Sequence, residues 1–279
     1  MKSIKRIIAF ALILCMVLSL CACKSSEAKA VEQQIKNLGE ITLDSEQAIK
    51  EAEDAYNALS SEDQASVKNY DVLEQAESRY MVISLEKEID DIGEVTLESE
   101  TAISELVDAY EKMTEDEQAS VSNYEKLEGA VEELTALQIA DWCSDAYYKL
   151  SSSAEFYMDT YTIPMLATLI MGYNGELSDN EAASEINSLR MLWTIRGAKV
   201  GSTRVSDTQE LIDKVLEKDP DNECAKLLGE MREKVLTYQK LAESLYDYSV
   251  PDDWDVVYDD YTDNYPDLDA RVSEAMPTV

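Results

Sequence analysis

The chain has 279 residues, with 58 Asp and Glu against 24 Lys and Arg, and a formal net charge of −34 at pH 7. A surface this acidic repels polyphosphates, so nucleic-acid binding is disfavoured. No histidine occurs, which removes the usual general base, nucleophile activator and transition-metal ligand, and with them any Ser-His-Asp or Cys-His hydrolase. Carboxylate-only chemistry stays open, but acids are so abundant that no pair stands out, and no cofactor or metal site is implied.

At the N-terminus, Lys2, Lys5 and Arg6 precede an apolar run over residues 7–20. That run is too short to cross a hydrocarbon core of about 30 Å and has the length of a signal-peptide core. Ala22 then stands immediately before Cys23. The arrangement resembles the lipobox of bacterial lipoproteins, although Cys21 occupies a place usually held by a small residue. The resemblance implies a signal peptide over 1–22, a diacylglyceryl group with palmitate-type chains on Cys23, and a tether over 23–34. It also implies attachment to the extracellular face of the cell membrane. Two acyl chains, at about 0.8 kcal/mol per buried methylene, hold a protein there without a transmembrane helix. The longest later apolar patch, residues 163–171, is broken by Pro164 and Thr168 and reads as core.

Residues 35–80 align without gaps on residues 89–134, a period of 54, with 22 of 46 positions identical. Ile49, Ala52, Tyr56 and Leu59, like Ile103, Leu106, Tyr110 and Met113, recur at spacings of three and four, the apolar face of a helix. Gly39 and Gly93 are expected as left-handed C-caps. Ser60 and Thr114 are placed to open short second helices. Asn69-Tyr70 and Asn123-Tyr124 begin third helices carrying Leu73 and Ala76, or Leu127 and Ala130. With no proline between Cys23 and Ile163, the third helix of the first copy is expected to run on and become the first helix of the second. The expected fold is therefore all-α. Two tandem three-helix repeats, over 35–88 and 89–137, share a helix and form a short rod, followed by a helical bundle over 138–250 and an acidic aromatic tail over 251–279.

The V-T-L-x-S-E opening, the A-Y of the first long helix and the N-Y before the third resemble helical repeats of Gram-positive, Firmicutes-type cell-surface proteins. Such repeats imply spacers or binding modules, and Tyr56, Tyr70, Tyr110 and Tyr124 are expected to pack rather than contact a ligand.

Beyond Leu134, Trp142, Tyr147, Tyr148, Phe156, Tyr157 and Tyr161 lie on a helix expected to end near Thr162, where Pro164 breaks it. Ser178 caps the next helix, which Gly197 and Gly201 are expected to terminate. Ser206 to Gln209 reads as a further capping box, and that helix stops at Asp219-Pro220. Asp221 then opens a last long helix ending before Pro251. Arg190, Arg196, Lys199 and Arg204 fall in an acid-free stretch; they are a candidate anion site, against the plainer reading that they neutralise neighbouring acidic helices. Cys143 and Cys224 either pair in a disulfide or remain two buried thiols. In the tail, Trp254, Tyr258, Tyr261 and Tyr265 are expected to dock while the interleaved aspartates stay solvated; calcium ligation is the lesser alternative.

The functional expectation is a non-enzymatic binding or scaffolding role at the cell envelope, with a protein or cell-wall partner met through residues 138–279. The rivals are a carboxylate-dependent hydrolase acting on a wall glycan and a lipoprotein that captures a small ligand.

Overall fold

The structure, a computed structural model, describes residues 25–278, with the side chains of 198–203 outside the description. The signal segment and Cys23 therefore lie outside the described residues. Every described element is helical, and no strand occurs among the described residues. No described helix is long and apolar enough to cross a membrane. The chain divides into two compact units between Val131 and Glu132, inside a single helix.

The first unit opens with α1 (Ser26–Asn37), capped by Ser25, whose Oγ accepts from the Ala28 amide at 3.0 Å. Residues read from sequence as tether are thus helical from Ser26 onward. Their apolar face, Ala28, Val31 and Ile35, is buried against Ile49, Ala52, Leu73 and Ala76. This corrects the tether: burying a side chain such as Ile35 or Leu73 contributes about 1.5–3 kcal/mol, and a free linker would forfeit it.

Next come α2 (Glu46–Asn57), the short α3 (Ser61–Gln64) and α4 (Tyr70–Asp90). At an offset of 54 residues stand α5 (Glu100–Glu111), the short α6 (Glu115–Gln118) and the start of α7 (Tyr124–Glu155). Helix α4 packs on α1 and α2 and also on α5 and α6. Thr114 and Glu117 form a reciprocal capping box at α6, and Ser60 caps α3. Gly39 adopts φ +64, as a helix C-cap requires. Gly93 has no such positive φ. Helix α4 ends at Asp90, three residues before Gly93, whereas α1 ends two residues before Gly39, so Gly93 falls past the capping position.

The second unit contains the rest of α7, then α8 (Ile163–Tyr173), α9 (Asp179–Leu192), α10 (Ala198–Lys218), α11 (Glu223–Tyr246), α12 (Trp254–Asp259) and α13 (Tyr265–Ala275). Three joints differ from the sequence expectation. Pro164 does not end the helical path: residues Phe156–Thr162 form a π-helical segment that leads into α8. A proline lacks the amide for its i−4 carbonyl and crowds it; the wider turn, in which Ile163 donates to the Met158 carbonyl, gives the ring room. Gly197 does not stop a helix either. A second π-helical turn, Trp193–Gly197, passes directly into α10, and Ser206 lies inside that helix instead of capping it. Finally, Asn222, not Asp221, caps α11, its Oδ1 accepting from the Ala225 amide at 3.0 Å.

Candidate functional site

The two π-helical turns pack against each other and are held by aromatic rings. The Trp193 ring lies 4.8 Å from Tyr161, 5.9 Å from Tyr157, 6.0 Å from Tyr246 and 6.1 Å from Phe156, centroid to centroid. Gly197 is required by this ring: a β-carbon there would meet Trp193 Cδ2 at 2.6 Å. Tyr157, Tyr161 and Thr162 are fully buried, and their hydroxyls have no hydrogen-bond partner among the described residues. Burial pushes the Tyr161 hydroxyl up to about 12, and burial with the Glu243 charge pushes Tyr157 higher still. Both phenols therefore stay neutral near neutral pH.

The turns leave an open groove of about 410 Å³ on the surface above them. Phe156 and Ile195 form its apolar wall, while Arg196, Arg204 and Glu155 bring charge. Ser152 and Thr160 contribute hydroxyls, and Arg204 Nη1 donates to Ser152 Oγ at 3.4 Å. Among the described residues, no ion pair joins Arg196, Arg204 or Glu155 to an opposite charge. Glu155 is the one described carboxylate in the lining, so the paired acids of a glycosidase are not assembled there. Glu77, whose carboxyl is pushed up by burial and then by Glu53 and Glu74, belongs to α4 in the other unit.

Of the four basic residues singled out in sequence, the structure brings Arg196 and Arg204 together and sends Arg190 elsewhere. Arg190 stacks over the rings of Tyr246 and Tyr248, 4.3 and 4.0 Å from their centroids, and donates to the Tyr246 carbonyl at the end of α11. A cation there complements the helix dipole and satisfies a terminal carbonyl. These contacts, to rings and a carbonyl and not to an acid, take Arg190 away from the residues that line the groove. The Lys199 side chain lies outside the description.

Phe156 is expected from sequence only as one of the aromatic residues of this helix, and Ser152, Glu155 and Thr160 carry no expectation, because apolar spacing there fits a regular helix. The available signal was Pro164: its i−4 position is Thr160, where a regular helix has to give way.

Cys143 and Cys224 meet. Both are buried and free, and the hydrogen bond to Cys224, then burial, push the Cys143 thiol up. Cys224 Sγ also donates to Met276 Sδ at 3.5 Å. In the tail, Tyr265, Leu268 and Val272 are buried in the core of this unit. Asp260 binds Lys234 and accepts from Tyr238 at 2.9 Å, while the Tyr261 hydroxyl donates to Asp159 at 2.6 Å. The tail is docked through its rings, and no cluster of three or more potential metal ligands occurs among the described residues. Trp193 is buried in the core and Trp142 packs half-buried against it.

Fold and groove together define an acidic all-α protein of two compact helical units, the second carrying an open, arginine-bearing groove. No protein-family model matches the chain, and no curated protein or solved structure is similar to it.

Proposed function

We propose that this protein is a lipid-anchored extracellular lipoprotein with a non-enzymatic binding or scaffolding role at the bacterial cell envelope, exerted through residues 138–279. The observation that carries the binding role is the groove. In a chain of net charge −34, two guanidiniums stand beside an apolar wall without a carboxylate partner among the described residues. Ligand sites are concave and combine apolar lining with a few polar groups, at volumes of roughly 300–1,000 Å³. The groove's approximately 410 Å³ and its lining fall in that class.

The anchor rests on the residues around Cys23. Helix α1 begins at Ser26, so a lipid on Cys23 is followed by at most about 11 Å of extended chain. Any standoff from the bilayer therefore comes from folded structure, not from a flexible tether. Substituting Cys23→Ser is expected to release the protein from the membrane fraction into the medium. Retention equal to wild type contradicts the anchor.

A further inference from the structure

We infer that the groove receives the end of a short zwitterionic peptide, its free carboxylate on Arg196 and Arg204 and its ammonium toward Glu155. The inference rests on the binding role proposed above and names its ligand class. Three properties of the groove lead to it. The first is the charge layout: two positive groups and one negative group line one concavity, and no ion pair satisfies any of them among the described residues. A guanidinium and a carboxylate that share a concavity and leave each other unpaired both remain available to a ligand carrying the opposite charges. Planar guanidinium groups suit a carboxylate particularly well, since they offer parallel donors to its two oxygens.

The second property is the origin of the charges. Glu155 ends α7 and Arg204 stands on α10, while Arg196 sits in the π-helical turn between α9 and α10. The opposite charges thus come from different elements, and the ligand lies between them. A single inorganic anion uses only the arginine side and is opposed by Glu155.

The third property is the wall. Phe156 is buried at its base, whereas Ile195 is 59% exposed in the groove's lining. An exposed isoleucine beside a buried ring favours an apolar side chain on the ligand. The Ser152 hydroxyl is already engaged, donating to the Lys149 carbonyl and accepting from Arg204, which leaves Thr160 to serve a peptide group, and the open mouth admits a chain end.

Titration calorimetry on the full mature chain separates the possibilities. The probes are the dipeptide Ala-Leu, its N-acetyl form, its C-terminal amide, and inorganic phosphate. Ala-Leu is expected to bind, and each blocked form to bind at least about tenfold more weakly, as loss of one charge-assisted contact implies. Arg196→Ala and Arg204→Ala should each weaken Ala-Leu by a similar factor. Glu155→Gln should instead bind the free and N-acetyl forms alike. Thermal melting of each variant, whose substituted side chains are exposed, verifies that it is folded. Phosphate binding as tightly as Ala-Leu, or equal binding of the free and acetylated forms by wild type, overturns the zwitterion while leaving an anion-binding groove. Absence of heat from all four probes overturns the ligand class and the groove's binding role together.

Discussion

Trp193 and Gly197 are the residues on which the groove depends. The tryptophan ring fills the space between two π-helical turns, and the glycine lets the chain pass across its face. Because the ring is held among Phe156, Tyr157, Tyr161 and Tyr246, it cannot swing aside for a methyl group. Gly197→Ala is expected to destabilise the protein by about 1–3 kcal/mol, the usual magnitude for overpacking a filled site, and to lower the thermal midpoint. A midpoint equal to wild type would mean that the ring is not confined. From sequence this glycine looked like a helix stop, since local propensity cannot register the Trp193 ring one helical turn earlier that needs its missing side chain. Arg190 was misleading for a related reason. Its acid-free neighbourhood suggested an anion site, but its partners are Tyr246, the last residue of α11 and 56 residues further along, and Tyr248 in the turn that follows.

At the scale of elements, the 54-residue period was the most readable feature. The helices at Glu46 and Glu100, at Ser61 and Glu115, and at Tyr70 and Tyr124 begin at that offset. The stacked pairs Tyr56–Tyr70 and Tyr110–Tyr124 have the same centroid separation of 4.1 Å. One tie extends beyond the aligned residues. Glu32 accepts from the Lys68 amide, and Glu86 accepts from the Ser122 amide, each at 2.8 Å. Asn69 and Asn123 donate to the backbone carbonyls of the same two glutamates. The glutamates share the 54-residue spacing, so the repeat extends upstream of residue 35 in the first copy and of residue 89 in the second. The hydrogen bonds from the Ser122 hydroxyl and amide hold the Glu86 carboxyl below its usual range. A depressed folded-state pKa gives stability above the unfolded pKa, lost as pH falls through the folded value. Glu86→Ala is therefore expected to cost about 1 kcal/mol at neutral pH, allowing for its partial exposure. In urea melts the gap from wild type should narrow as the pH falls through and below the ordinary glutamate range; a gap independent of pH would contradict the assignment. The π-helical joints were less readable, because apolar periodicity continues through a widened turn and only Pro164 marks where the regular ladder fails.

For the whole molecule, charge and address work together. A strongly acidic chain resists settling on an anionic bilayer or wall, and in the function proposed above the lipid on Cys23 is what would hold it there. All-α architecture was legible because apolar spacings of three and four recur through both repeats, from Ile49 onward, and through the helices that follow Leu134. The function was not legible, since no catalytic constellation announces itself and the groove's charges come from elements that only folding brings together. The binding role is tested most directly by incubating the full mature chain with solubilised cell-wall fragments and reading both the bound amount and the fragment masses. The expected result is retention of fragments unchanged in mass, lost in the Arg196→Ala/Arg204→Ala double variant. Shortened fragments, or equal retention by the double variant, would contradict a non-enzymatic binding role centred on this groove.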